Sequence, residues 1–476
     1  MSVERVQFGQ QDRGGLLLGL GVSSILALGV AAGALLVGLV GGGVRGMGLG
    51  AALAAPLVAA ALVRVQGQRA IEWLPPAISW GLRRQRGQHH YLVGERAQAV
   101  GTLVLPGRGA RLRLRVGPSG SAVVEDPARG TLTVAARVSH RPFALAQASD
   151  KEDRVEGWGG VLAQLGTCRG LVSLQVQERT LPESPDALAQ YFAANGVPGN
   201  PAAEGYAQVL AQAGPAAERH ESYLAWTWSR RDLDRDIRRA GGGERGLGAV
   251  LGQQVAWAEK VLSGAGIGVA AWLSPQELSW VLHSAYDPGE GTDDHHGAPE
   301  AAGPEALAES WDRLRADGGW HAVYRVAEWP RLAAGADVLS PLILSARLRR
   351  SFSLLVEPVS IAKAEREIRS AKAEHHSEQA TKARIGQVHS QRDDAALADV
   401  ERREAELVAG HGELRYLGLV SVTAASSGDL DEACATIEMA ARRSQLELRR
   451  LYGQQHQGFL AAALPLGFQV MRGTKR

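Results

Sequence analysis

The sequence predicts an α+β cytoplasmic region with two pseudo-repeated βαβ-type halves, preceded by a two-helix transmembrane hairpin and a small antiparallel β unit. Three observations carry that reading. Two long uncharged stretches occupy most of the first 63 residues, the hydrophobic period switches to two between Val100 and Phe143, and a strand-helix-strand-helix order seen before residue 288 recurs after Gly412.

After a polar start (1–13), Gly14 to Val40 form 27 residues without a charge, which at about 1.5 Å per helical residue exceeds the ~30 Å of bilayer hydrocarbon. Gly41-Gly42-Gly43-Val44-Arg45 break the run, and Gly46 to Val63 add 18 uncharged residues, near the lower limit for a second crossing. Residues 14–63 thus read as a helical hairpin. Arg5 and Arg13 precede it and Arg64, Arg69, Arg83, Arg84 and Arg86 follow it, whereas the turn carries only Arg45, so both termini are expected in the cytoplasm. The competing reading is a cleavable signal at the AALAAP run, but the first apolar stretch is far longer than an ordinary h-region. Glycines spaced i,i+4 (Gly15/Gly19, Gly29/Gly33, Gly38/Gly42, Gly46/Gly50) are suited to close helix packing in lipid.

Residues 64–99 read as an interfacial juxtamembrane segment, in which Trp73, Trp80, Arg83, Arg84 and Arg86 supply the aromatic and basic mix of a membrane boundary and Pro75-Pro76 stop the preceding helix. Residues 100–150 alternate apolar and polar side chains between Gly, Pro and Asp, giving the small β unit; Arg111, Arg113 and Arg115 fall on one strand face, read as solvated.

The first α+β half spans 151–288: a helix over Val155–Leu165, a strand over Cys168–Arg179, a helix over Glu204–Ala217, a strand over Glu218–Trp228, a helix over Leu247–Leu262, a strand over Gly266–Trp272 and a helix over Pro275–Tyr286. Residues 289–319 read as loop and linker, 320–360 as strands, and 361–410 as an exposed pair of helices forming an arm, about one third charged and only loosely periodic. The second half, 411–476, repeats the pattern.

Composition narrows the function classes. Lys plus Arg number 52 against 50 acids, so no global field recruits nucleic acid. Cys168 and Cys434 stand in no metal-ligand spacing and fit a reducing compartment. No Lys follows a Gly, which removes the phosphate-cradling Gly-Lys loop, and neither HExxH nor GxSxG occurs. Asp293-Asp294-His295-His296 in a polar loop and His375-His376 on a helix do not make a convergent ligand set, so no catalytic residue, metal or cofactor is expected.

WHAVYRVAEWPRL from Trp320, SPLIL at Ser340, SFSLLVEPV at Ser351 and the closing SQLELRRLYGQQHQGFLAAALPLG resemble a family of actinobacterial membrane proteins. In that family a PrgI-type two-helix inner-membrane subunit is fused to a region similar to the N-terminal, non-catalytic half of the VirB-type type IV secretion ATPase. LSWVLHSAYDP at Leu278 resembles a corresponding helix of those ATPases. The resemblance implies a non-enzymatic, oligomeric scaffold in the cell membrane of a conjugation-like translocation machine. Its implied partners are a separate secretion-type ATPase, other channel subunits, the lipid bilayer and a DNA or protein cargo. Arg449 and Arg450, flanked by Leu448 and Leu451, are the expected ATPase contact. The rival readings are a membrane-anchored enzyme with a scattered site and a membrane protein binding DNA through Arg faces.

Overall fold

The computed structural model describes residues 22–65, 68–93, 103–139, 143, 146–182, 187–197, 201–213, 218–287, 302–330, 334–344, 348–385, 391–408 and 412–468. It is an α+β architecture: a large antiparallel sheet, covered on both faces, with one long apolar helix at its N-terminal side.

That helix, α1 (Val22–Leu62), is long and apolar enough to cross a membrane. It leaves helical geometry at Gly43, which has φ +57°. Around that point, a Cβ at Gly46 would collide with the carbonyl oxygen of Gly38, and one at Gly50 would come within 2.6 Å of that of Ala34. Of the glycines expected to pack, Gly38, Gly46 and Gly50 do, whereas Gly29, Gly33 and Gly42 face open space. Ser24, Ala27, Ala31, Ala54 and Ala61 are buried, and Leu26, Leu36, Val37, Val40 and Leu53 point outward.

A two-stranded turn, β1 (Arg64–Val65) and β2 (Gln68–Arg69), a 3-10 turn over Ala70–Trp73, and α2 (Leu74–Gln85) lead into β3 (His90–Leu92). The next strands are β4 (Arg113–Val116), β5 (Ala122–Asp126) and β6 (Thr131–Ser139). After α3 (Ala148–Leu165) come β7 (Leu171–Pro182), α4 (Ala187–Asn195), α5 (Pro201–Ala213) and β8 (Glu218–Ser229). Then come α6 (Arg230–Arg239), α7 (Gly243–Gly264), β9 (Gly268–Trp272) and α8 (Pro275–Tyr286). The remainder runs β10 (Ala306–Glu309), β11 (Leu314–Ala316), β12 (Gly319–Glu328), α9 (Ser340–Ile343) and β13 (Arg350–Pro358). It ends with α10 (Ile361–Ile385), α11 (Gln391–Val408), β14 (Leu414–Ala424), α12 (Ser427–Arg443), β15 (Glu447–Arg450) and α13 (Gln455–Ala462).

The sheet order is β3-β10-β11-β12-β14-β13-β7-β8-β6-β5-β4, with β15 added to β12 and β9 to β6. At its centre β7 pairs antiparallel with β13, placing Val176 opposite Leu354. Side chains alternate faces along each strand. Tyr223 and Ala225 of β8 join the core under α8 and α13, while Leu224, Trp226 and Trp228 join the one under α6 and α7. A third core forms where α12 covers β12 and β14 through Leu430, Cys434 and Ile437. Local chemistry fixes the helix starts. Ser274 and Glu277 form a reciprocal capping box on α8, and Ser229 and Ser426 cap α6 and α12.

Several expectations are corrected. Residues 100–150 are not a separate β unit, because β6 pairs with β8 over Thr131–Val138 and so belongs to the main sheet. The strands of 320–360 belong to it too, as does the described part of 289–319, which contains β10 and β11. The described part of 64–99 is docked on the sheet edge through β3, whose Tyr91 pairs with Leu307. Two helices do form the arm at 361–410, but its base is core: Ala364, Ile368 and Val400 are buried. Helices α4 and α6 go beyond the elements that periodicity predicts. In α6 (RRDLDRDIRR) only Leu233 and Ile237 are apolar, one turn apart and both buried, too narrow a stripe to stand out. Residues 1–21, 288–301 and 469–476 lie outside the described residues, among them the start of the first apolar run and Asp293–His296.

Candidate functional site at the junction of the apolar helix and the sheet

The end of α1 is tied to the 3-10 turn by a bond from the Ala70 N–H to the Val63 carbonyl. Pro75 and Pro76 occupy the first turn of α2, where a missing N–H costs nothing. The end of the 3-10 turn and one face of α2 then pack inward. Trp73 lies 5.2 Å from Tyr452 and 6.4 Å from Trp311, and Trp80 meets Trp311 edge-on at 6.2 Å. Further along the same helix, Arg83 stacks over Trp80 at 5.5 Å and donates from Nη1 to Glu309 Oε2 at 2.7 Å, while Nη2 donates to the Gly453 carbonyl.

Glu309 is held from three sides. Its second oxygen accepts from the His456 backbone N–H at 3.1 Å, and its own N–H donates to the His89 carbonyl at 2.8 Å. Gly453 has φ +66° and donates to the Trp311 carbonyl at 2.6 Å, and a Cβ there would strike the Trp311 ring, so only glycine fits. Burial pushes the Glu309 carboxyl above its usual range, against the pull of Arg83 and the backbone donors. His456, fully enclosed and beside Arg83, is lowered to about 4 and stays neutral. A buried pair of this kind adds little net stability over an apolar substitute, but losing one partner is expensive, so it locks geometry.

The structure therefore joins two sets of residues that the sequence kept apart. Trp73, Trp80 and Arg83, expected at the membrane boundary, are turned into the protein, whereas Arg84 and Arg86 are exposed. Of the expected ATPase contact, Leu448 packs beside the α12 core and Leu451 beside the α13 core. Arg450 is committed internally, its Nη2 donating to Tyr324 Oη at 2.7 Å and its Nη1 reaching Asp312 at 3.5 Å. Arg449 bonds Glu447 at the strand edge at 2.8 Å. Sequence reasoning missed Glu309, Trp311, Gly453 and His456. The tract LRRLYGQQHQ flagged the second pair, but nothing local announces Glu309 or Trp311.

Elsewhere, several buried polar groups satisfy one another. Arg179 Nε donates to Glu221 Oε2 at 2.7 Å, and its Nη1 reaches the Val281 carbonyl and Ser284 Oγ, both at 3.0 Å. Burial opposes ionisation of Glu221, but Arg179 and Arg219 hold its carboxyl below the usual range. His321, lowered to about 3 by burial, bridges Thr423 and the Tyr286 carbonyl. Of the three arginines expected on one strand face, Arg115 pairs across β4 and β5 with Glu125 at 2.7 Å, and Arg111, in the 3-10 turn before β4, lies 4.0 Å from Asp126. Among the described residues no three metal-ligating side chains converge. Compared with known proteins, the chain matches no family model and no curated protein.

Proposed function

We propose that this chain is a non-catalytic membrane scaffold that holds a large antiparallel platform against the cytoplasmic face and docks a separate ATPase to a translocation channel. The observation that carries the scaffold reading is the interlock of Arg83, Trp73 and Trp80 with Glu309, Trp311 and Gly453, which rigidly couples an apolar helix to the sheet. The secretion role and the ATPase partner rest on the resemblance of the tracts beginning at Trp320, Ser340 and Ser351 and of the closing tract.

In this reading α1 is a hairpin crossing the bilayer twice. The break at Gly43 and the apposition of Gly38 with Gly46 support it, because close backbone approach through small residues is how helices associate in lipid. The cytoplasmic region is two pseudo-repeats. In the first, strands β6, β7, β8 and β9 lie in the order β9-β6-β8-β7; in the second, β12, β13, β14 and β15 lie as β15-β12-β14-β13. Each has helices after its first and third strands, as in a split βαβ arrangement, with a further helix pair (α4 and α5, α10 and α11) after its second, and β7 meets β13 where the two join.

Affinity purification of the full chain from native membranes, followed by mass spectrometry and an ATPase assay, tests the proposal. An ATPase should copurify, and the chain alone should not turn over nucleotide. Turnover by the chain alone, or salt-dependent DNA binding, would favour the enzyme or the DNA-binding reading instead. Intact-mass analysis should also find residues 22–62 retained; their loss would make them a signal.

A further inference from the structure

We propose that the outward face of α2 is a second membrane contact, with Leu74, Ile78 and Leu82 seated at the boundary between headgroups and acyl chains of an anionic bilayer. The three side chains recur at i, i+4 and i+8, which aligns them along one face. They are 45%, 59% and 48% exposed, an unusual run of large aliphatic groups open to solvent on one short helix. The opposite face cannot turn to cover them, because Trp73, Trp80 and Arg83 are locked to the sheet edge.

Position and charge select the occupant. The inference rests on reading α1 as membrane-spanning, and α2 starts only 12 residues after α1 ends, across a connection bonded back to Val63. A helix at that place lies at the depth of the lipid headgroups. Between Arg64 and Val93 the chain has five arginines (Arg64, Arg69, Arg83, Arg84, Arg86) and one acid, Glu72, with Arg64, Arg84 and Arg86 exposed. An apolar stripe bordered by guanidinium groups is the composition that binds in the plane of an anionic surface. The bilayer would thus be held at two places, and the sheet edge carrying β10 and β15 would sit at a fixed tilt to the membrane.

Photo-crosslinking in the full chain tests this, with benzoylphenylalanine placed singly at Ile78, at Leu36 on the outside of α1, and at exposed Arg231 on α6. The protein is reconstituted into phosphatidylcholine vesicles with and without phosphatidylglycerol. Lipid adducts at Ile78 and Leu36 but not at Arg231, with the Ile78 yield rising in phosphatidylglycerol and falling at high salt, are expected. Adducts at Leu36 with none at Ile78 overturn the α2 contact and leave the span standing, whereas none at either site removes both. A protein adduct at Ile78 at twice the chain's mass assigns the stripe to a second copy and overturns the proposal. Replacing Leu74 and Leu82 together by Ser should abolish the Ile78 lipid adduct without shifting the melting temperature of the sheet region; an unchanged adduct would equally sink the idea.

Discussion

Arg83 and Glu309, 226 residues apart in the chain, meet at 2.7 Å with the carboxylate side chain only 1% exposed. Together with the pairing of β3 and the contacts of Trp73 and Trp80 with Trp311, it fastens the segment that leaves α1 to β10, the strand next to the sheet edge.

Replacing Arg83 by Ala strands a buried carboxylate, which costs about 3–5 kcal/mol where no new partner is at hand. Thermal melting of the detergent-solubilised chain should show the loss, and limited proteolysis should release α2. The double variant Arg83→Met with Glu309→Leu should recover most of it, since an apolar pair of similar volume is close to neutral. A single variant that melts like the wild type would mean that the interlock does not hold the junction.

What could be read from the sequence depended on the range of each interaction. Pro275–Tyr286 could be read to the residue because its capping box and its hydrophobic period are local. Strands such as Glu218–Ser229 announced themselves by alternation. The partners of those strands did not: β6 looked like part of a small separate unit because pairing with β8 leaves no mark in either sequence. For the same reason Trp73 and Trp80 read as lipid-facing, their real neighbour Trp311 being set by tertiary packing in a tract with no period of its own.

Acid should weaken the fold through His456 and His321. Both are bases held below their ordinary value of 6.5, at about 4 and about 3, so the unfolded chain takes up their protons first. Their stabilisation is complete above about pH 6.5 and is lost as pH falls toward those lower values, at roughly 1.4 kcal/mol per pH unit for each histidine. Glu309 has the opposite sign: its carboxyl is pushed up by burial, so its contribution is present at low pH and declines as pH rises past the ordinary carboxylate value. Melting temperatures measured from pH 7 to pH 4 should therefore fall, and His456→Phe should reduce the slope by about one histidine's share. A flat profile in the wild type would contradict the buried neutral rings.

The arm can be shortened but not removed. Lys372 pairs with Glu404 between α10 and α11, Arg403 with Glu413 and Arg415 with Glu367 at the base, and Ala364, Ile368 and Val400 are buried there. Deleting residues 380–396 and joining 379 to 397 by a short Gly/Ser bridge should leave the melting temperature within a few degrees of wild type. Deleting 361–409 should instead expose core, at about 1.5–3 kcal/mol for each large aliphatic side chain, and lower it clearly. Equal effects from the two deletions would show that the base carries no weight.

Arg449 and Arg450 are adjacent in sequence yet should answer the partner question differently. Arg450 lies between Tyr324 and Asp312, and its guanidinium helps to hold β15 on β12. Arg450→Glu places a carboxylate against Asp312 and should lower the melting temperature, so any loss of partner capture by that variant reports damage to the sheet. Arg449 pairs along its own strand edge with Glu447, whose side chain is 45% exposed while that of Arg449 is only 15% exposed. With Arg449→Gln as the control that keeps the packed stem, Arg449→Glu should lower the melting temperature less than Arg450→Glu. If the edge of β15 is where a separate ATPase docks, Arg449→Glu should lose the copurifying ATPase from native membranes while the rest of the assembly is retained. Full capture by a well-folded Arg449→Glu chain would move the docking surface away from β15.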